Sequence, residues 1–184
     1  MSLTQYYTAT SLDGFIADPD NSLGWLFTRK REEDGPLNYG EFIAGVGAMA
    51  MGSTSYEWIL DHEFAGKDVA EWKWPYDLPC WVFTHRELAV VPGATIRFTR
   101  ADVADVHEEM AAVAGDRNVW IVGGGDLAGQ FADRGLLDEV IVQIAPVTLG
   151  GGAPLLPRRI ELSLDELGRN VDFASARFSV VRTS

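Results

Sequence analysis

The sequence is poor in residues on which several classes of protein depend. Its 184 residues include one cysteine, Cys80, which cannot form an internal disulfide, and three scattered histidines, which predict no metal site. No apolar run approaches the ~20 residues that span a bilayer. The opening segment MSLTQYYTAT also lacks the basic and then apolar layout of a secretion signal. We therefore expect a cytoplasmic protein that does not bind a membrane.

Basic residues are also few. Fifteen Lys and Arg against 27 Asp and Glu give a formal net charge of −12. A bulk electrostatic attraction to nucleic acid is disfavoured at this charge. An anionic ligand must therefore be held by local groups.

The chain alternates short β-rich runs with helical ones, with no internal repeat or flexible linker. We predict a single domain over residues 1–184. Strands separated by helices favour parallel crossovers, and the terminal runs Val171 to Ala174 and Phe178 to Val181 predict an antiparallel hairpin. The pattern as a whole indicates an α/β fold with a mixed sheet.

The strongest local motif is VWIVGGGDLAGQF, residues 119–131. An apolar strand delivers three glycines to the start of a helix, where bare N–H groups and the positive helix end can face a phosphate. The alternative is a tight strand-to-helix turn without a ligand. Gly123, Gly125 and Ala128 also fit the dinucleotide fingerprint of a Rossmann fold, but that motif belongs at the head of its βαβ unit and needs an acidic residue about 20 positions on. Several strands precede it here, so this interpretation is disfavoured.

A second turn of this kind is MGSTSYEW, residues 51–58. A strand ends in glycine and a helix opens with hydroxyl residues, of which Ser53 or Thr54 is the expected N-cap. Hydroxyl caps are common, so a purely structural role is an open alternative. The presence of two such turns in one small chain favours a diphosphate site.

These residues resemble the dihydrofolate reductase-like family, and within it the reductase domain of bacterial riboflavin-biosynthesis deaminase/reductase proteins. The likeness rests on TATSLDGFIAD, MGSTSYEW, VWIVGGGDLAGQF and LLDEVIVQIAPVTLGGGAPLL, which follow one another in the family's order over roughly residues 4–156. The resemblance implies a three-layer fold with a mixed, mostly parallel sheet, helices on both faces and an antiparallel C-terminal hairpin. It also implies NADPH as cofactor, a small-molecule substrate and a homodimer.

The resemblance assigns three groups of cofactor-binding positions. Those matching contacts to the nicotinamide ring are Ala9, Ile16 and Ala17. Those matching the two sides of the diphosphate are Gly52, Ser53, Thr54 and Ser55, and Gly123, Gly124, Gly125, Asp126 and Leu127. Those bordering the adenosine and its 2′-phosphate are Thr84, His85 and Arg86.

The sequence departs from the family at two positions. Ser53 stands where an arginine or lysine usually meets the 2′-phosphate, so a preference for NADPH over NADH depends on Arg86 and His85. Phe15 stands where riboflavin-pathway reductases commonly have a lysine. That change weakens the case for a ribose-phosphate substrate.

Reduction of a C=N bond by hydride also needs a proton donor. The segment REEDGPLNYGEF, residues 31–42, occupies the place of the acid in dihydrofolate reductases, and we predict Asp34 for this role, with solvated surface charge as the alternative. Trp25 matches a tryptophan at the mouth of the substrate site and is otherwise a packing residue. Gln143 interrupts an apolar strand, so it either faces the substrate or bridges backbone groups.

The sequence thus predicts an NADPH-dependent reductase that acts on a pterin/folate-like or pyrimidine-like molecule. The alternative is a nucleotide-binding module of the same fold that lacks a working acid. Turnover of NADPH distinguishes the two.

Overall fold

The computed structural model describes residues 2–182. The strands are β1 (Thr4–Ser11), β2 (Phe15–Ala17), β3 (Val46–Gly52), β4 (Cys80–Phe83), β5 (Ile96–Thr99), β6 (Asn118–Gly123), β7 (Glu139–Ala145), β8 (Ala153–Pro154), β9 (Leu162–Asn170) and β10 (Phe173–Val180). The α-helices are α1 (Gly24–Phe27), α2 (Tyr39–Ala44), α3 (Ser53–Phe64), α4 (Val103–Ala114) and α5 (Gly125–Asp133), with a 3₁₀ turn at Val69–Glu71.

Eight strands form one sheet in the order β5-β4-β3-β6-β1-β7-β10-β9, and β2 pairs with β8 in a small second sheet. The six strands from β5 to β7 are mutually parallel, whereas β10 is antiparallel to both β7 and β9. This mixed, mostly parallel sheet confirms the predicted architecture. The glycine-rich turn follows β6 and not the first strand of a βαβ unit, which is inconsistent with the Rossmann alternative.

The position of the terminal hairpin was wrong in the sequence prediction. Residues 171–174 and 178–181 are not its two arms: the arms are β9 and β10, and the turn lies at 171–172. The sequence of β9, LSLDELGRN, gives little sign of a strand because it lies at the edge of the sheet and most of its side chains are exposed. Burial therefore imposes no clear apolar alternation on it.

The helices cover both faces of the sheet. On one face, α4 and α5 pack over Tyr6 and Ile121 in a core that includes Met110 and Phe131. On the other, α2 and α3 pack over a core with many aromatic residues, among them Tyr56 and Trp120. Helix α4 buries Val103, Val106, Met110 and Ala114, the spacing of a single apolar stripe. In the described part of the chain, no helix is long and apolar enough to cross a membrane.

The parallel arrangement brings many strand ends to one edge of the sheet. The carboxyl-terminal residues of its six parallel strands are Ser11, Gly52, Phe83, Thr99, Gly123 and Ala145. The β9–β10 turn lies at this edge too, because β10 begins beside the end of β7. Ligands of open α/β sheets bind outside the carboxyl ends of the strands. We call this side the carboxyl edge.

Candidate functional site

The two glycine-ended strands are neighbours in the sheet. Strands β3 and β6 pair in parallel, with Met51 opposite Gly123 at their ends. A Cβ atom on Gly123 would lie 2.5 Å from Ser55 Oγ, so the two turns are in direct contact and a larger residue would displace the Ser55 hydroxyl. The sequence motifs predicted as the two sides of one diphosphate site are therefore adjacent.

The helices that begin at these two turns have no side-chain cap among residues 2–182. The N-cap of α3 is Gly52, not Ser53 or Thr54 as the sequence predicted, and the N-cap of α5 is Gly124. Ser53 Oγ instead accepts a hydrogen bond from Arg86 Nη2 at 2.8 Å. By contrast, α4 is capped by Asp102, whose carboxylate accepts from the N–H of Ala104. Uncapped first-turn N–H groups and the positive helix end favour an anion.

The glycines of the two turns leave space or allow close backbone approach. A Cβ on Gly52 would have no described atom within 4 Å, so this residue borders open space in front of α3. Gly124 has φ of +95°, which disfavours any side chain there. A Cβ on Gly125 would clash with the carbonyl oxygens of Pro154 and Leu155. The pair of turns therefore places two uncapped helix starts side by side, with open space in front of Gly52.

Two residues of the predicted cofactor set have side chains that are engaged within the protein. Leu127 is buried in the core beneath α5, so its side chain is used for packing. The Asp126 carboxylate accepts hydrogen bonds from Gln130 at 2.9 Å and Arg158 at 2.8 Å, which lower the pKa of the carboxyl. The groups left to meet a ligand are the main-chain N–H groups of the first turn. The remaining predicted residue of the α3 turn, Thr54, is exposed.

Basic side chains follow the ends of β4 and β5. Arg86 donates to both carboxylate oxygens of Glu57 at 3.0 and 2.7 Å, and its backbone N–H donates to Thr84 Oγ1. Arg100 donates to the carbonyl oxygen of exposed His85 at 3.2 Å. An open cavity of about 760 Å³ is lined by Thr84, Arg86 and Arg100.

Sequence reasoning missed Arg100 and Glu57. A signal for Arg100 was present, because it comes two residues after the predicted strand ATIRF and so belongs at the carboxyl edge. Arg86 shares its charge with Glu57, whereas Arg100 forms no ion pair among the described residues. Arg100 therefore brings a positive charge without a direct ion pair to a cavity that Glu87 also lines.

The three residues predicted to meet the nicotinamide lie near the end of β1. Ala9 is half-buried on β1 and lies opposite Gln143 of β7. Ile16 and Ala17 form part of β2, which pairs with β8. The last glycine of the run before β8 is tightly packed: a Cβ on Gly152 would clash with the backbone of Ala17.

Gln143 lies in a hydrogen-bond network of protein groups. Its amide nitrogen donates to the carbonyl oxygen of Leu37 at 2.8 Å and to Tyr7 Oη at 3.4 Å, and its amide oxygen accepts from Ser175. Tyr7 Oη also donates to the Leu37 carbonyl at 3.0 Å. Burial raises the pKa of Tyr7, so its hydroxyl stays protonated. The backbone bridge left open by the sequence is therefore present.

The structure does not bring Asp34 and Trp25 into contact with Gln143. Asp34 is exposed, and within residues 2–182 its carboxylate makes no hydrogen bond. Its loop is fixed at the carboxyl edge because Glu32 and Asn170 exchange hydrogen bonds at 2.8 and 2.9 Å. Trp25 is half-buried on α1, and its buried indole N–H has no hydrogen-bond partner in the described chain. Neither residue's predicted role is tested by these contacts.

The described residues also contain no group of three His, Cys, Asp or Glu side chains arranged to hold a metal ion.

Comparison with known proteins identifies the family. The model of the RibD C-terminal domain matches residues 57–175, more than half of the chain. An uncharacterised Bacillus subtilis protein, YwjB, is 31% identical over 159 residues, which cover 83% of this chain and 81% of that protein.

Solved structures show the same fold. A candidate riboflavin biosynthesis protein from Shewanella sp. PV-4 superposes with a TM-score of 0.79 at 22% identity, covering 98% of this chain and 99% of that one. A pyrimidine reductase-like protein from Corynebacterium diphtheriae gives 0.63 at 14% identity, covering 99% and 93%. The resemblance inferred from the sequence motifs is confirmed: the chain has the dihydrofolate reductase-like fold and belongs to the RibD C-terminal domain family.

Proposed function

We propose that the protein is an NADPH-dependent reductase that transfers hydride to a small heteroaromatic or imine-like molecule, of pterin/folate or pyrimidine type. The observation that carries the proposal is the meeting of two uncapped helix starts at adjacent strand ends, with open space in front of Gly52. The pyrimidine reductase-like relative from Corynebacterium diphtheriae supports the substrate class.

Different residues would bind different parts of the cofactor. The first-turn N–H groups of α3 and α5 would hold the diphosphate, and Arg86 and Arg100 would meet the 2′-phosphate in the cavity beyond β4 and β5. Ala9 and the β2 residues Ile16 and Ala17 would border the nicotinamide. When bound, the cofactor supplies the hydride.

The substrate would lie beside β1 and β7, near Trp25 and the network around Gln143. A proton must reach the reduced nitrogen, and we propose that Asp34 delivers it, directly or through water. The loop of Asp34 is held at the carboxyl edge by Asn170, which keeps the carboxylate on the same side of the sheet as the cofactor turns.

Binding and turnover test the proposal in sequence. Calorimetry should show that NADPH binds, and the absorbance of the reduced nicotinamide should fall when pterin, folate or pyrimidine compounds are added. The exposure of Asp34 favours a second candidate function, a nucleotide-binding module without chemistry. That candidate predicts NADPH binding with no turnover on any of these compounds, whereas failure to bind NADPH would contradict both.

We also propose a homodimer. The outer strand β9 exposes Leu162, Leu164 and Leu167, and their register opposite Val180, Phe178 and Ala176 places them on one face of the sheet. An apolar strip at a strand edge is suited to pairing with a second copy. Light scattering after size exclusion should give twice the chain mass, and Leu167→Glu should give the monomer mass.

A further inference from the structure

The Arg158 side chain lies across α5, the helix that begins at the Gly123–Gly125 turn. Its aliphatic part passes over Gly129, where a Cβ atom would lie 2.8 Å from Arg158 Cγ. Its guanidinium donates to Asp126 at 2.8 Å and to Asp133 at 3.0 Å, so one side chain bridges the first and last turns of the helix. Because Gly129 has no side chain, Arg158 can approach the helix this closely.

The neighbouring arginine shows that this placement is specific. The Arg158 side chain is 30% exposed, whereas that of Arg159 is 92% exposed and contacts only Glu161 among the described charges. The backbone near Arg158 is held as well, since Tyr6 Oη donates to the carbonyl of Leu155 at 3.0 Å. Arg158 is therefore a fixed part of the structure around α5.

The Arg158–Asp126 contact affects the charge at the start of α5. Asp126 lies in the first turn of α5, where its negative charge is favourable to the isolated helix. A diphosphate bound at the same turn would meet a like charge, which disfavours binding. Arg158 and Gln130 both donate to that carboxylate, so part of its charge is compensated and its side chain is directed toward the body of the helix.

We infer that Arg158 is a positioning residue for cofactor binding: it holds the Asp126 carboxylate away from the first-turn amides of α5 and compensates its charge. The N–H groups of those amides can then donate hydrogen bonds to a diphosphate. This inference rests on the proposed function. Arg158 itself does not touch the cofactor in this account. Its effect should therefore depend on whether Asp126 carries a charge.

The test measures NADPH dissociation constants by calorimetry for the full chain and four variants. Arg158→Ala should weaken binding about tenfold, because the charge of Asp126 is then uncompensated at the helix start. The double variant Arg158→Ala with Asp126→Asn should recover to within about threefold of the original, since the repelling charge is gone. Two control variants should leave the NADPH dissociation constant unchanged. Asp133→Asn alters the second partner of Arg158, in the last turn of α5, and Arg159→Ala alters the exposed neighbouring arginine.

The outcomes separate the two ideas. If the original chain does not bind NADPH, the proposed function fails and this inference fails with it. If the original chain binds but Arg158→Ala binds equally well, only the inference is overturned. A double variant as weak as Arg158→Ala would show that Arg158 acts by packing against α5 and would also overturn the charge role.

Discussion

The two halves of the carboxyl edge use opposite chemistry. In the half formed by β3, β4 and β6, α3 and α5 begin without side-chain caps in the described chain, and glycines border open space or close contacts. In the half formed by β1, β7 and β10, the side chains of Tyr7, Gln143 and Ser175 bond to one another and to the Leu37 backbone. The first half offers backbone groups to a ligand, while the second satisfies its polar groups internally.

This difference indicates which half would select the substrate. Backbone amides at a helix start bind any diphosphate, so the first half fits a cofactor shared by many enzymes. Side chains from three strands and one backbone carbonyl build the second half, so its shape can vary between relatives that keep the same fold. Under the proposed function, we therefore expect the second half to determine the substrate.

The largest expected effect comes from the second half. Asp34→Asn should lower turnover by about 100-fold or more, because general acid catalysis contributes on that order, while the dissociation constant of NADPH should not change. The measurement is steady-state turnover together with calorimetry on the same preparation. Glu33→Gln, an exposed carboxylate on the same loop, is the control and should retain activity. Equal losses in both variants would remove the proton-donor role from Asp34.

A large effect on binding is expected from Gly52→Ala in the first half. The residue has φ of −79° and ψ of 165°, which alanine adopts without strain, and its new methyl group would occupy the open space in front of α3. We expect NADPH binding to weaken by about tenfold or more. The control is Gly45→Ala, which adds the same methyl just before the opposite end of β3. If Gly52→Ala binds as well as Gly45→Ala, the α3 turn does not hold the diphosphate.

A smaller effect should appear in the choice between cofactors. Arg100→Ala should lower the preference for NADPH over NADH by about fivefold, because an exposed arginine on a phosphate contributes roughly 1 kcal/mol. Binding of NADH provides the internal reference for folding. Arg97→Ala is a second control, since Arg97 lies over the Trp81 ring and pairs with Glu109. A preference that survives in Arg100→Ala would assign the 2′-phosphate to Arg86 alone.

The same comparison explains what could be predicted from the sequence. The two turns were predictable because glycine after an apolar strand has few other uses, and parallel strand ends must meet at one edge. The network around Gln143 was not, because its partners Leu37 and Ser175 are distant in sequence and one of them contributes only a carbonyl oxygen. Strand β9 was missed because its exposed edge position imposes no burial pattern. Arg158 was missed because nothing local indicates that it crosses α5.

The smallest effect concerns Asp13, which fixes a loop at the carboxyl edge. Its carboxylate accepts hydrogen bonds from Ser11 Oγ at 2.6 Å and from the N–H groups of Leu149 and Gly150, which lower its pKa from 3.8 to about 2. Because the pKa is depressed in the folded state, this interaction is fully present above the unfolded value, about pH 4, and is lost as the pH falls toward 2. Asp13→Asn should therefore make the free energy of unfolding fall less steeply between pH 4 and 2, measured by urea titration at each pH. Asp20→Asn, a change to an exposed carboxylate, should leave the slope unaltered, and an unaltered slope in Asp13→Asn as well would show that these hydrogen bonds do not stabilise the fold.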